Sequence, residues 1–301
     1  MLSPAVLFAL LAASDPLERW LGSLATAKTG VAHDAVETKP SSACGGMGVF
    51  ARRPLASREV LAVIPSRCTV TAADSELLPV PVRASAGMSP KNCEAATIAA
   101  LLVLARFSSD SAEARVRWGP FVDSMPWASS ESDPMHEHPL VVAHREDDPD
   151  LVSPGALDLV RRIAQAARAS LDDTLGSDDA LFDRCYRAAL LVSTRAFSFP
   201  RRPYVMVPFA DNLNHPSQTA LAALGPAGRR WTAAGLRDAC ISRSIDDHGA
   251  VTVYAPAALE IFEGDELFTW YGNAGYGAPT REEGEEGLRA FVTSYGFSPW
   301  D

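Results

Sequence analysis

The spacing of apolar positions changes character along the chain, and those changes outline its architecture. Residues 2–13 form a short apolar run, below the roughly 20 residues that a membrane span needs and without a basic leader. Leu17, Trp20, Leu21 and Leu24 follow at helical spacing, so the run is read as one N-terminal helix, with a signal peptide as the competing reading. Residues 28–43 are polar and irregular. Gly45-Gly46-Met47-Gly48 then leads into Val49, Phe50 and Ala51. After a turn at Arg53-Pro54, the runs 59–65 and 68–71 predict strands. Residues 92–106 are apolar on most sides, which predicts a buried helix.

Further on, Ser153 and Pro154 offer a cap and a first-turn proline for a helix with Leu157, Val160, Ile163, Ala164, Ala167 and Leu171 on one face, stopped by Gly176. Ser177, Asp178 and Asp179 open another, with acid at the positive end of its dipole, and it carries Leu181, Cys185, Ala188, Ala189 and Val192 towards Arg195. The last third returns to a period of two. Segments 240–242 and 250–254 flank a hairpin turn, Asp246-Asp247-His248-Gly249. Gly264-Asp265 turns the chain into a strand over 266–271 with Leu267, Thr269 and Tyr271 on one face. The Gly- and Glu-rich stretch 272–287 is expected to be mobile.

Strands, then helices, then strands predict an α+β fold in which a β-rich unit is interrupted by a helical insert. The expected division is an N-terminal helix and linker at 1–43, a first β-rich part at 44–85, the insert at 86–190 and a second β-rich part at 191–301. The length of 301 residues suffices for a large core, and a net charge of -10 argues against broad binding to a phosphate backbone. A basic protein segment is the easier partner; nucleic acid and membrane are not expected. Cys44, Cys68, Cys93, Cys185 and Cys240 are scattered, so neither a zinc cluster nor a disulfide framework is suggested, and a reduced, cytoplasmic setting fits, with nucleus and plastid left open.

Chemistry concentrates in Val207-Pro208-Phe209-Ala210-Asp211-Asn212-Leu213-Asn214-His215. There an apolar run turns polar and stops at Pro216, like a buried strand end opening onto a binding site. A loop whose Asp and Asn side chains satisfy nearby backbone groups explains the same residues. His136 and His138 around Glu137 suggest a metal hydrolase only weakly. With Gly264 to Gly272 and Ser294-Tyr295-Gly296-Phe297, the Asp211 to His215 run resembles the SET-domain protein methyltransferases. The resemblance is to the group that includes the Rubisco lysine methyltransferases and the actin histidine methyltransferase. It covers roughly 16–301, with Gly46 to Val49, Trp118 to Pro126 and Arg195 to Phe197 as further matches in order.

The resemblance implies a SET domain split by its helical insert and S-adenosylmethionine as cofactor. It implies a protein substrate methylated on lysine, or alternatively histidine, and a monomer. Gly45, Gly46 and Met47 would lie against the cofactor through their backbone. Asp211, Asn214 and His215 belong to its pocket, and Tyr295 and Phe297 would close it. Arg195 would face the methionine carboxylate, while a helix C-terminal arginine complementing the dipole accounts for it equally well. Tyr271 would be the catalytic residue, its hydroxyl orienting the acceptor nitrogen. No metal is implied. The zinc-binding cysteine clusters flanking histone-modifying members are missing, which points to a non-histone substrate. Members of the group usually continue after the counterpart of Phe297 into a helical domain that grips the substrate. Here recognition is expected to fall to the insert, unless the sequence is a fragment or a non-catalytic interaction module.

Overall fold

A computed structural model describes residues 16–23, 30–31, 34–44, 46–83, 88–109, 112–127, 135–176, 178–271 and 292–293. Its strands are short: β1 (Gly30–Val31), β2 (Val36–Pro40), β3 (Met47–Ala51), β4 (Val60–Ile64), β5 (Phe197–Phe199), β6 (Arg202–Val205), β7 (Ser242–Ile245), β8 (Val251–Tyr254) and β9 (Glu266–Leu267). They pair as an antiparallel sheet of order β1-β4-β8-β7, a second of order β2-β3-β9, and the β5-β6 hairpin. The first two sheets each join a strand from the beginning of the chain to one from its end. Strands and helices together make an α+β fold. The β7-β8 turn forms as predicted, with Asp246 Oδ1 accepting from the backbone N–H of His248 and Ala250, and Gly249 at φ +85°.

Besides the four-residue turns Asp172–Leu175 and Leu236–Ala239, the described α-helices are α1 (Pro16–Ser23), α2 (Pro90–Phe107), α3 (Glu113–Ser124), α4 (Pro139–Glu146), α5 (Ala156–Ala169), α6 (Asp179–Arg195), α7 (Gln218–Ala223) and α8 (Pro226–Ala233). Of these, α2 to α6 lie between β4 and β5 in sequence. Ser89 caps α2 by accepting from the Asn92 N–H, Pro90 occupies the first turn, and every residue from 95 to 105 is buried. Burial on all sides explains the absence of a polar face: α2 packs against α3, α5 and α6 and forms the axis of the helical core. Each fully buried leucine or isoleucine there contributes about 1.5–3 kcal/mol, so a charge at Leu101 would unfold the insert.

The structure revises several of these readings. The stretch 28–43, read as irregular, carries β1 and β2, and the strand expected over 68–71 is reduced to an isolated bridge between Val70 and Met206 after the 3-10 turn Ser66–Cys68. Helix α5 starts at Ala156 behind Gly155 at φ +73° and has no side-chain cap, while the Ser153 N–H donates to Thr293 Oγ1 at 2.9 Å. It ends at Ala169, and Gly176 stops only the four-residue turn Asp172–Leu175. Helix α6 is capped by Asp178, which accepts from the Leu181 N–H at 2.8 Å; Ser177 lies outside the described residues. The strand expected over 266–271 is regular only at Glu266–Leu267, and Leu267, Phe268 and Thr269 are all buried, so no alternation of faces is realised. Phe268 is gripped from both sides: its carbonyl accepts from the Ile241 N–H and its backbone bridges Asn214 in parallel. Residues 1–15, Leu24 and the 272–287 stretch lie outside the described residues. No helix among the described residues is long and apolar enough to cross a membrane.

Candidate functional site

The polar run after Val207 is a loop rather than the end of a strand. Met206 bridges Val70, and then Phe209, buried, takes φ +72°, a left-handed backbone that costs a bulky residue about 1–3 kcal/mol. That turn starts the short 3-10 segment Ala210–Asn212 and redirects the chain so that Leu213 and Asn214 run beside Phe268 and Thr269. The Thr269 N–H donates to Asn214 O at 2.9 Å, which locks the two segments together.

Around Asn214 a buried polar node forms. Its Nδ2 donates to Met47 O at 3.0 Å and to Glu266 Oε1 at 2.9 Å, and Ser41 Oγ donates to Glu266 Oε2 at 2.9 Å. The Cys44 N–H donates to Ser41 Oγ, and the Ser41 N–H to Gly46 O. Glu266 is only 2 % exposed, and burial raises its pKa against the opposing pull of its hydrogen bonds to Asn214 and Ser41. Gly48 makes room for it: a Cβ there would stand 2.5 Å from Glu266 Oε1 and 3.2 Å from Asn214 Nδ2. At Gly46, by contrast, φ is +64° and a Cβ would meet nothing within 4 Å, while Met47 is 39 % exposed. The glycine turn thus has the node behind it and open space at Gly46.

His215 links the two segments a second time. Its Nδ1 accepts from the Tyr271 N–H at 3.1 Å, and the Tyr271 hydroxyl donates to Leu213 O at 3.1 Å. The imidazole packs against Trp270, with centroids 4.8 Å apart, and against Tyr271 at 5.4 Å. Burial pushes its pKa down to about 4, so the ring is neutral at pH 7. Arg195, the last residue of α6, donates from Nη1 to Asp211 O at 3.0 Å and stands 3.6 Å from Asp211 Oδ2. Asp211 is buried, and its pKa is pushed up to about 6 because desolvation outweighs the attraction of Arg195. Among the described residues, Arg195 Nε and Asp211 Oδ1 are both buried without a hydrogen-bond partner.

The structure therefore gathers Gly46, Met47, Asn214, His215 and Tyr271, with Arg195 and Asp211 bracing the loop from beneath. Gly45, Tyr295 and Phe297 lie outside the described residues. Ser41, Gly48 and Glu266 were missed by sequence reasoning. The available signal was a glutamate heading an otherwise apolar strand, since Glu is almost never fully buried unless paired. The metal suggestion at 136–138 is overturned. His138 Nδ1 caps α4 by accepting from the Leu140 N–H, and His136 Nε2 turns to Arg145 at 3.0 Å. Among the described residues no group of three or more His, Cys, Asp or Glu could hold a metal.

The sequence matches no protein-family model and no curated protein. In structure the chain is similar to the SET domain of LSMT bound to lysine and AdoHcy, with a TM-score of 0.55 at 16% identity over 96% of this chain and 58% of that one. It is similar also to Rubisco LSMT bound to AdoMet, with a TM-score of 0.54 at 17% identity over 99% of this chain and 57% of that one. A third structure, Rubisco LSMT bound to sinefungin and monomethyllysine, gives a TM-score of 0.52 at 16% identity over 99% and 57%. The chain has the SET-domain fold and spans about 57–58% of the length of these structures.

Proposed function

We propose that the chain is an S-adenosylmethionine-dependent protein N-methyltransferase acting on a lysine of a non-histone protein. The observation that carries this reading is the double fastening of Tyr271 to the Asn214 loop: its N–H to His215 Nδ1 and its hydroxyl to Leu213 O. The residues suit a cationic methyl donor. Gly46 has open room, Met47 is partly exposed, Glu266 is tied to Asn214 behind them, the imidazole of His215 is neutral, and two nearby arginines are turned to other partners, Arg195 to Asp211 and Arg243 to Thr269 Oγ1. S-adenosylmethionine, when bound, supplies a methyl group made electrophilic by its sulfonium.

In this reading Gly46 and Met47 hold the cofactor through backbone edges, with Gly45 beside them. Asn214 fixes the Met47 carbonyl, and His215 sets the position of the Tyr271 backbone. The Tyr271 O–H proton is directed at Leu213 O, which fixes the orientation of the phenol, and in this reading the phenol oxygen aims the nitrogen of the incoming amine. Burial lowers the His215 pKa to about 4 and its Nδ1 already accepts from the Tyr271 N–H, so the ring is a weak base and the proton shed by a lysine ammonium is left to water. Tyr295 and Phe297 would complete the pocket, and Arg195 with Asp211 holds the loop.

Incubating an extract with the protein and isotopically labelled S-adenosylmethionine, then mapping label by mass spectrometry, tests the reading. Label on lysine is expected, and label on histidine would move the activity to the alternative acceptor. Cofactor binding without any transfer would select a non-catalytic interaction module, and failure to bind the cofactor would defeat both.

A further inference from the structure

Within the helical insert, the last turn of α2, Trp127 and the first half of α6 enclose a cleft of ≈ 270 Å³ whose lining includes Arg106, Phe107, Trp127, Asp183, Arg184 and Arg187. Three arginines converging in a chain of net charge -10 run against its overall balance. The two rings meet edge to face, with centroids 5.6 Å apart at 83°, and Trp127 Nε1 donates to Val122 O at 2.7 Å. Arg106 lies over Phe107 at 5.7 Å and over Trp127 at 5.2 Å, and Arg184 lies over Phe107 at 4.7 Å. Stacking holds these guanidinium planes in place, so they lose less freedom on binding than mobile lysines would.

Two carboxylates stand nearby, Asp183 on the lining and Asp123 against Arg106. Asp123 takes both terminal nitrogens of Arg115 at 2.8 Å each and also meets Arg106 Nη1 at 3.3 Å, while Asp183 Oδ1 faces His144 Nε2 at 3.4 Å. Arg187 Nη1 donates to the Trp127 carbonyl at 3.2 Å. Arg184 makes no ion pair or hydrogen bond among the described residues and is left with its fork available.

We propose that this cleft docks an aspartate or glutamate side chain of the protein to be methylated, with an apolar neighbour of that residue lying against Phe107. The identity of the partner rests on the methyltransferase reading; the chemistry of the cleft does not. A planar carboxylate matches the guanidinium fork. At ≈ 270 Å³ the cleft is smaller than the roughly 300–1,000 Å³ of small-molecule sites, so it admits a side chain or two rather than a nucleotide.

The test titrates the isotope-labelled full chain with N-acetyl-glutamyl-phenylalanine amide, with its glutaminyl and lysyl counterparts and with inorganic phosphate, following the Trp127 indole N–H by NMR. Saturable shifts with the glutamyl peptide are expected, with binding weakened about tenfold or more for the glutaminyl peptide and for Arg184→Gln. Arg184→Glu should turn the preference to the lysyl peptide, which separates lost charge recognition from lost folding. Equal binding of glutamyl and glutaminyl peptides, or tighter competition by phosphate, overturns the proposal. No methyl transfer enters this readout. Charge-selective binding in a chain that methylates nothing supports the acidic docking site and defeats the enzyme reading, whereas methylation with an unselective cleft does the reverse.

Discussion

Replacing Gly48 by alanine probes the node beneath the site. The added Cβ would stand 2.5 Å from Glu266 Oε1, with Phe50 Cε2 at 3.1 Å and Asn214 Nδ2 at 3.2 Å. A carboxylate on a free side chain would swing away cheaply. This one is 2 % exposed and tied to Ser41 and Asn214, so relief means overpacking at about 1–3 kcal/mol together with a weakened hydrogen bond to a charged group worth about 1.5–3 kcal/mol. A total of about 2.5–6 kcal/mol is a large part of the 5–15 kcal/mol typical of a domain. Gly46→Ala is the control: it meets no neighbour within 4 Å and should cost only the left-handed backbone, about 1–2 kcal/mol. Urea unfolding at pH 7 reads both. In the Gly48→Ala background, Glu266→Gln should cost less than it does in the native protein, because the strained hydrogen bonds are already compromised. Equal destabilisation by the two glycine replacements, or additive effects in the cycle, would refute the packing account of the node.

Three further outcomes follow from the same geometry. Tyr271→Phe should lower methyl transfer strongly while leaving S-adenosylmethionine affinity nearly unchanged, with a stability loss of about 0.5–1.5 kcal/mol for the bond to Leu213 O; parallel loss of transfer and affinity, measured by calorimetry and label incorporation, would count against its role. Asn214→Ala should weaken cofactor binding by releasing the Met47 carbonyl, and native affinity in calorimetry would contradict the pocket drawn here. The pH profile separates two buried groups. Asp211, raised to about 6, adds stability that is full below its ordinary 3.8 and is lost as pH rises through 6. His215, lowered to about 4, adds stability that is full above its ordinary 6.5 and is lost as pH falls through 4. Asp211→Asn should therefore gain on the native protein by about 3 kcal/mol between pH 3.5 and pH 7 in urea midpoints, and parallel profiles would show that the carboxylate is not desolvated.

Residues with an intrinsic local preference were legible before any coordinates. The Asp246 to Gly249 turn and the all-round apolar helix at 92–106 act through their own backbone or through bulk burial, and the structure keeps them with shifts of a residue or two. Boundaries failed where two signals competed, as at 153–156, where Gly155 rather than the serine starts α5. The polar run at 211–215 and Tyr271 were recognisable as chemistry, yet the expected strand end at 207–209 is a turn forced through a strained Phe209.

What the sequence determined by itself is therefore the α+β class, the buried helix at 92–106, the turn at 246–249 and the amide and imidazole groups set side by side at 211–215, because periodicity and residue type are carried along the chain. Only the tertiary structure decided that Glu266 would be buried between Ser41 and Asn214, that Gly48 rather than Gly46 must stay bare against it, that Arg195 would turn to Asp211, and that Arg184 would lie over Phe107. Each of those outcomes depends on residues distant in sequence arriving within a few ångströms of one another. Desolvation and hydrogen bonding act at that range, and no local pattern encodes it.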